Sequence, residues 1–177
     1  RLRFLHTRGH ANHHMVVFDE AENAVFTGDS FGIAYPDVQP EGTTAARPSV
    51  VFPSTSPTDF DADAARASLK AIVGTGATAA YLTHFGRVEN LDEVARVLDG
   101  QLARYGELVD RLDDSGAEGD ALHSEAARVV DGFFAELFPE PSELQATLIS
   151  LDRDLNGQGV AVAVERRRYR RAKAAKA

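Results

Sequence analysis

His6-Thr7-Arg8-Gly9-His10-Ala11-Asn12-His13-His14, followed by Phe26-Thr27-Gly28-Asp29-Ser30, decides how this chain is read. Each stretch borders an apolar, β-branched run. Met15-Val16-Val17-Phe18 follows the first, and Ala24-Val25-Phe26 leads into the second. A third run, Tyr81-Leu82-Thr83-His84-Phe85-Gly86, again places a histidine at its end. Imidazole and carboxylate groups held at the ends of buried strands are how a rigid sheet presents metal ligands. The chain therefore reads as a scaffold for His10, Asp29 and His84.

Working outward, Leu2-Arg3-Phe4-Leu5 predicts a strand with Leu2 and Phe4 on one face. Thr7-Arg8-Gly9 is a turn, where glycine lets the backbone approach a ligand site closely. Residues 13–19 predict a second strand, Glu20-Ala21-Glu22-Asn23 a polar connection, and 24–27 the returning strand. Residues 30–59 hold five of the seven prolines: Pro36, Pro40, Pro48, Pro53 and Pro57. So long a connection is usually functional or disordered. Because it leaves Asp29 directly, it is read as a pocket wall, with Phe31, Ile33 and Tyr35 as apolar substrate contacts. The competing reading is a solvent-exposed excursion. Residues 60–73 predict a helix capped by Asp59 or Asp61, with Ala65, Leu69 and Ile72 as its apolar stripe. Residues 78–83 predict a buried strand that delivers His84. This strand–helix–strand alternation indicates an α/β layer.

Beyond residue 90 the pattern is helical. Leu91, Val94, Leu98, Leu102, Tyr105, Leu108 and Leu112 recur at steps of three and four. A second helix is predicted over 120–138, with Leu122, Ala126, Val129, Val130, Phe133, Phe134 and Leu137 on its stripe. Ser142 with Gln145 opens a third, carrying Leu144, Leu148, Leu151 and Leu155. Two domains are expected, 1–90 and 91–177. Gly157 and Gly159, beside Asp152, Asn156 and Gln158, indicate either close packing at a substrate-facing or interface patch, or a helix break. The basic run Arg166-Arg167-Arg168-Tyr169-Arg170-Arg171 reads as a solvated helix end, where positive charge suits the dipole, with a nucleic-acid or anionic-membrane tail as the alternative.

Composition narrows the function classes. The net charge of −8 and pI near 5.2 argue against a nucleic-acid partner. With no cysteine there is no disulfide, zinc thiolate or cysteine nucleophile. No apolar run approaches the ~20 residues of a membrane span, so no membrane partner is expected. The absence of cysteine fits a cytoplasmic location, with export left open because an upstream signal peptide would lie outside this sequence.

These residues carry a resemblance. Thr7-Arg8-Gly9-His10-Ala11-Asn12-His13-His14 resembles the T-P-G-H-A-x-H-H segment of metallo-β-lactamase-fold hydrolases, with Arg8 where proline is usual. Phe26-Thr27-Gly28-Asp29 resembles that family's strand ending in Gly-Asp, and Thr83-His84-Phe85-Gly86 its last ligand motif. The likeness covers residues 1–90 well and the rest more loosely. The family's upstream H-x-H-x-D-H, which supplies about half of its metal ligands, occurs nowhere in this chain. Two explanations stand: the chain is the C-terminal part of a longer protein, or it is a degenerate, metal-free relative. The joint presence of His10, Asp29 and His84 favours the first.

The resemblance implies the C-terminal half of an αββα sandwich followed by an all-helical region. It implies two metal ions, usually zinc, with His10 serving the first, Asp29 bridging both and His84 serving the second. Asp29 and His84 would be the catalytic residues. Iron or manganese suits the same ligands. His13 and His14 are expected as packing or outer partners of the ligands, and His6 as no ligand. Read singly, His10 is a loop histidine and Asp29 a turn cap. The implied activity is hydrolysis of an ester, thioester or amide-like small molecule by a metal-activated water. The alternatives are an iron-dependent oxidoreductase of the same fold and a non-catalytic scaffold.

Overall fold

Period-two burial sets the strands. In β2 (Met15–Asp19) Val16 and Phe18 are buried while Met15 is exposed. In β3 (Ala24–Gly28) Val25 and Thr27 are buried and Phe26 is exposed. β1 (Leu2–His6), β4 (Ala79–Leu82) and the two-residue β5 (Arg87–Val88) complete a five-stranded sheet in the order β1-β2-β3-β4-β5. The computed structural model describes residues 1–44, 46–84 and 86–176. Phe85 of the last motif lies outside them.

β1, β2 and β3 are antiparallel neighbours, β3 and β4 run parallel, and β5 returns antiparallel to β4. A parallel pair needs a crossover, and α1 (Ala62–Val73) lies on it. Asp61 caps α1 by accepting the Ala64 N–H at 3.0 Å. Ala65, Leu69 and Ile72 are buried as their spacing predicts. β5 is too short to show a period in sequence.

The other sheet face is apolar and open. Phe4, Val17, Phe26 and Tyr81 lie opposite one another across four strands. Leu2, Phe4, Met15, Phe26 and Tyr81 are all exposed, Phe4 by 64%. Phe26 and Tyr81 stack with ring centroids 5.0 Å apart.

The described residues of 30–59 are neither structureless nor a solvent excursion. They hold two single-turn 3-10 helices, Asp29–Phe31 and Pro36–Val38, and an isolated bridge between Ile33 and Phe52. Phe31, Ile33, Val38, Val51 and Phe52 are all buried.

The remaining helices are α2 (Leu91–Ser115), α3 (Gly119–Leu137) and α4 (Glu143–Ala174). All seven residues of the α2 stripe are buried. Ser142 and Gln145 form the capping box that opens α4. The chain divides into two compact units, 1–54 with 61–103, and 55–60 with 104–177. The expected line at 90/91 coincides with the start of α2, whereas the division falls inside that helix.

Two expectations for α4 need correction. Its buried side is not the leucine stripe. Leu144 and Leu151 are exposed, whereas Ile149, Asp152, Asn156, Val160, Ala161 and Val164 are buried. Nor does α4 break at its glycines. A Cβ on Gly157 would meet the Ala127 backbone at 3.0 Å, and one on Gly159 would meet Thr55 Oγ1 at 2.2 Å. Close approach therefore selects both glycines, and small residues on that side. Asn156 Oδ1 accepts the Thr55 N–H at 2.9 Å.

The basic end is also tethered rather than simply solvated. Arg168 donates to the Asp113 carboxylate at 2.9 Å and to the carbonyls of Leu112, Asp113 and Ala117, closing the C-terminus of α2. Arg171 reaches both Asp113 oxygens at 2.6 Å. Arg166 pairs with Asp59, and Arg167 with Asp110. Among the described residues, no helix is long and apolar enough to cross a membrane.

Candidate metal centre

Three chain segments deliver the three expected residues. The loop between β1 and β2 carries His10. It is pinned to the start of α1, because Gly9 O accepts the Asp61 N–H at 2.9 Å and Arg8 O accepts the Ser68 hydroxyl at 2.6 Å. Gly9 has φ +128° and sits so close that a Cβ would lie 2.2 Å from Ala65 N. Asp29 leaves the end of β3 and His84 the end of β4. Parallel pairing makes these ends neighbours, and Thr83 N–H reaches Gly28 O at 3.5 Å.

The side chains converge. His10 Nε2 lies 3.5 Å from Asp29 Oδ2, and His84 Nε2 lies 3.1 Å from Asp29 Oδ1. Each imidazole thus faces its own oxygen of one shared carboxylate. Ligand atoms on one tetrahedral zinc with bonds of ~2.1 Å lie roughly 3.4 Å apart, and both separations are close to that. Among the described residues, no group of three or more His, Cys, Asp or Glu side chains forms a metal-holding cluster by itself. The chain instead presents two His–carboxylate pairs hinged on Asp29.

The hydrogen bonds around His10 show what those pairs can do. His10 Nδ1 lies 3.1 Å from the Ser54 carbonyl and 3.3 Å from the Ser54 hydroxyl. A carbonyl accepts only, so Nδ1 carries a proton, and Nε2 is the nitrogen turned to the Asp29 carboxylate. Asp29 Oδ1 is buried and accepts no well-aligned hydrogen bond, although His84 Nε2 is near. A cation shared by these groups would satisfy the orphaned carboxylate oxygen and the imidazole nitrogens that face it. Two imidazole nitrogens and a carboxylate are a donor set suited to zinc or iron, so these residues fit such an ion.

A second network lies behind Asp29. His14 Nε2 accepts the Asp29 backbone N–H at 3.2 Å. His14 Nδ1 lies 2.9 Å from Ser30 Oγ and 3.0 Å from Thr7 Oγ1. Burial and the neighbouring His10 lower the His14 pKa from its ordinary value, against the pull of Asp29. His14 thus lies directly behind the Asp29 backbone. His13 is exposed, and His6 bonds the Asn12 carbonyl. Of the three expected apolar contacts, Phe31 and Ile33 are core residues with 0% and 1% exposure. They leave no surface for a substrate. Only Tyr35 reaches the site, edge-on to His84 with ring centroids 6.1 Å apart. Ser54, Thr7 and Ser30 escaped the sequence reading. Ser54 is 44 residues from His10 and belongs to no motif.

The fold is that of metallo-β-lactamase proteins. An archaeal metallo-β-lactamase superfamily protein from Sulfolobus tokodaii superposes with a TM-score of 0.50 at 20% identity, over 90% of this chain and 45% of its own. A metallo-β-lactamase family protein from Thermus thermophilus superposes with a TM-score of 0.50 at 18% identity, over 95% of this chain and 44% of its own. The chain therefore spans less than half the length of these structures. No family model and no curated protein sequence matches it.

Proposed function

We propose that this chain supplies His10, Asp29 and His84 to the metal site of a metal-dependent hydrolase. One observation carries the reading: two imidazole nitrogens face the two oxygens of one half-buried carboxylate, one of which is orphaned. Asp29 would bridge two ions, with His10 holding one and His84 the other. Such ions lower the pKa of bound water toward ~7 and polarise the bond under attack. The residues of this chain do the rest. Ser54 fixes the His10 tautomer, the end of β3 aims Asp29, and Tyr35 flanks His84. The substrate is then an ester, thioester or amide-like small molecule.

The test is Asp29→Asn beside His13→Ala in a full-length protein that also carries the upstream ligands, with zinc content and ester or thioester hydrolysis measured for both. Asparagine keeps the size but loses the charge and one good metal oxygen. Metal content and turnover should both fall strongly while the fold persists. His13→Ala, an exposed change, should cost at most the ~10–100-fold typical of outer partners. The assignment is wrong if Asp29→Asn keeps its metal and its rate while His13→Ala loses both. The same donors suit iron, so elemental analysis of the purified protein separates hydrolase from oxidoreductase.

A further inference from the structure

We propose that His14 is a positioning residue: a neutral imidazole, protonated on Nδ1, whose Nε2 lone pair sets the direction in which Asp29 points. The proposal rests on Asp29 being a ligand only for its functional consequence; the clamp itself is a matter of hydrogen bonding.

Asp29 N–H donates to His14 Nε2 at 3.2 Å, so that nitrogen carries no proton. The proton of the neutral ring is then on Nδ1, which has two hydroxyl oxygens in reach, Ser30 Oγ at 2.9 Å and Thr7 Oγ1 at 3.0 Å. Ser30 Oγ also lies 3.1 Å from Thr7 Oγ1 and 3.3 Å from Thr7 O. Thr7 is fully buried, so the far side of the ring is anchored to a fixed group. Thr7 N–H in turn donates to His14 O at 2.9 Å, tying both ends of the loop that carries His10.

The near side is fixed by shape. Gly28 has φ +49° and ψ −137°, and a Cβ there would lie 2.5 Å from His14 Nε2. The ring fills the space that a side chain at position 28 would need. The backbone bend after β3 is thus held by contact with the ring and by one hydrogen bond to it. That bend aims the Asp29 carboxylate at His10 and His84. Outer partners that orient ligands are worth about 10–100-fold in metal affinity.

The variants are His14→Phe, His14→Asn and His14→Gln. Phenylalanine keeps a ring without an acceptor. Asparagine reaches only the Nδ1 position, while glutamine places Oε1 near Nε2. The readouts are hydrogen exchange of the Asp29 amide and zinc affinity, with circular dichroism as the check on folding. His14→Phe and His14→Asn should speed Asp29 amide exchange more than tenfold and weaken zinc about 10–100-fold. His14→Gln should restore both to within a few-fold. Equal behaviour of Gln and Asn, or an unchanged amide in His14→Phe, overturns the proposal. Imidazole nitrogen NMR of the unsubstituted chain tests it even where a variant fails to fold. Nδ1–H with bare Nε2 at neutral pH is expected, and a proton on Nε2 overturns it. If the amide responds as expected but Asp29→Asn leaves zinc affinity unchanged, the clamp stands and the metal reading fails.

Discussion

At the scale of single residues, the site depends on backbone that only glycine can supply. Gly9 combines φ +128° with the α1 backbone 2.2 Å from where a Cβ would sit. Neither a rotamer change nor a flexible neighbour can relieve that clash. Gly9→Ala should lose on the order of 2–4 kcal/mol, measured by denaturant unfolding, through steric overlap added to left-handed strain. An alanine there within about 0.5 kcal/mol of the parent would show that the loop is not pinned to α1. His10, Asp29 and His84 stand out in the sequence because each lies beside a strand-forming run, and strand ends are where a sheet presents side chains. Their supports were not. The Ser54 carbonyl that selects the His10 tautomer is a backbone atom, and no residue type announces it. Phe31 and Ile33 misled for a related reason. An apolar residue near a ligand reads alike whether it lines a pocket or fills a core, and only the Ile33–Phe52 bridge decides between them.

At the scale of elements, α4 shows where periodicity stops being sufficient. Its sequence carries two stripes, one of leucines and one of small and polar residues. The rule that the larger apolar stripe is buried picks the wrong one. Close approach at Gly157 and Gly159 favours the small side. Ile149 is 4% exposed and Leu151 65%. Ile149→Ala should therefore destabilise by about 2–4 kcal/mol, and Leu151→Ala by no more than about 0.5 kcal/mol. The reverse order in thermal or urea unfolding would restore the leucine face. The end of α2 supplies a second prediction. Burial raises the Asp113 carboxyl, but Arg168 and Arg171 together outweigh it and hold it below the usual carboxylate range. A depressed carboxyl contributes stability that is present above its unfolded pKa of ~3.9 and is lost as pH falls through its lower folded value. Asp113→Asn should cost about 1–3 kcal/mol at neutral pH, the worth of charge-assisted bonds to one carboxylate. It should also flatten the fall in stability on the acid side. The other strands and helices followed from alternation, caps and three-four spacing, except β5, whose two residues hold too little pattern.

At the scale of the molecule, one face of the sheet stays apolar and open. Leu2, Phe4, Met15, Phe26 and Tyr81 form a patch of the kind that marks an interaction surface or drives association. The 177-residue chain should bind an apolar dye and self-associate with rising concentration. Phe4→Lys with Phe26→Lys should suppress both while leaving the helical signal intact, and an unchanged dye response would argue against that face. The same chain should bind zinc only weakly, since each ion would receive just one histidine and one carboxylate oxygen from it. Tight binding of two zinc ions per chain in a calorimetric titration would refute the account of an incomplete donor set. The parallel pairing of β3 with β4 carries one more consequence, and it concerns time. β1, β2 and β3 are joined by short loops and can zip locally, whereas Asp29 meets His84 only after the whole intervening stretch, α1 included, has closed on itself. Closing that stretch has an entropy cost that no local contact offsets, and folding slows as contacts grow more distant in sequence. The carboxylate–imidazole pairing should therefore be among the last native contacts to form, so an ion that grips it acts on an almost finished sheet and slows unfolding far more than it speeds folding.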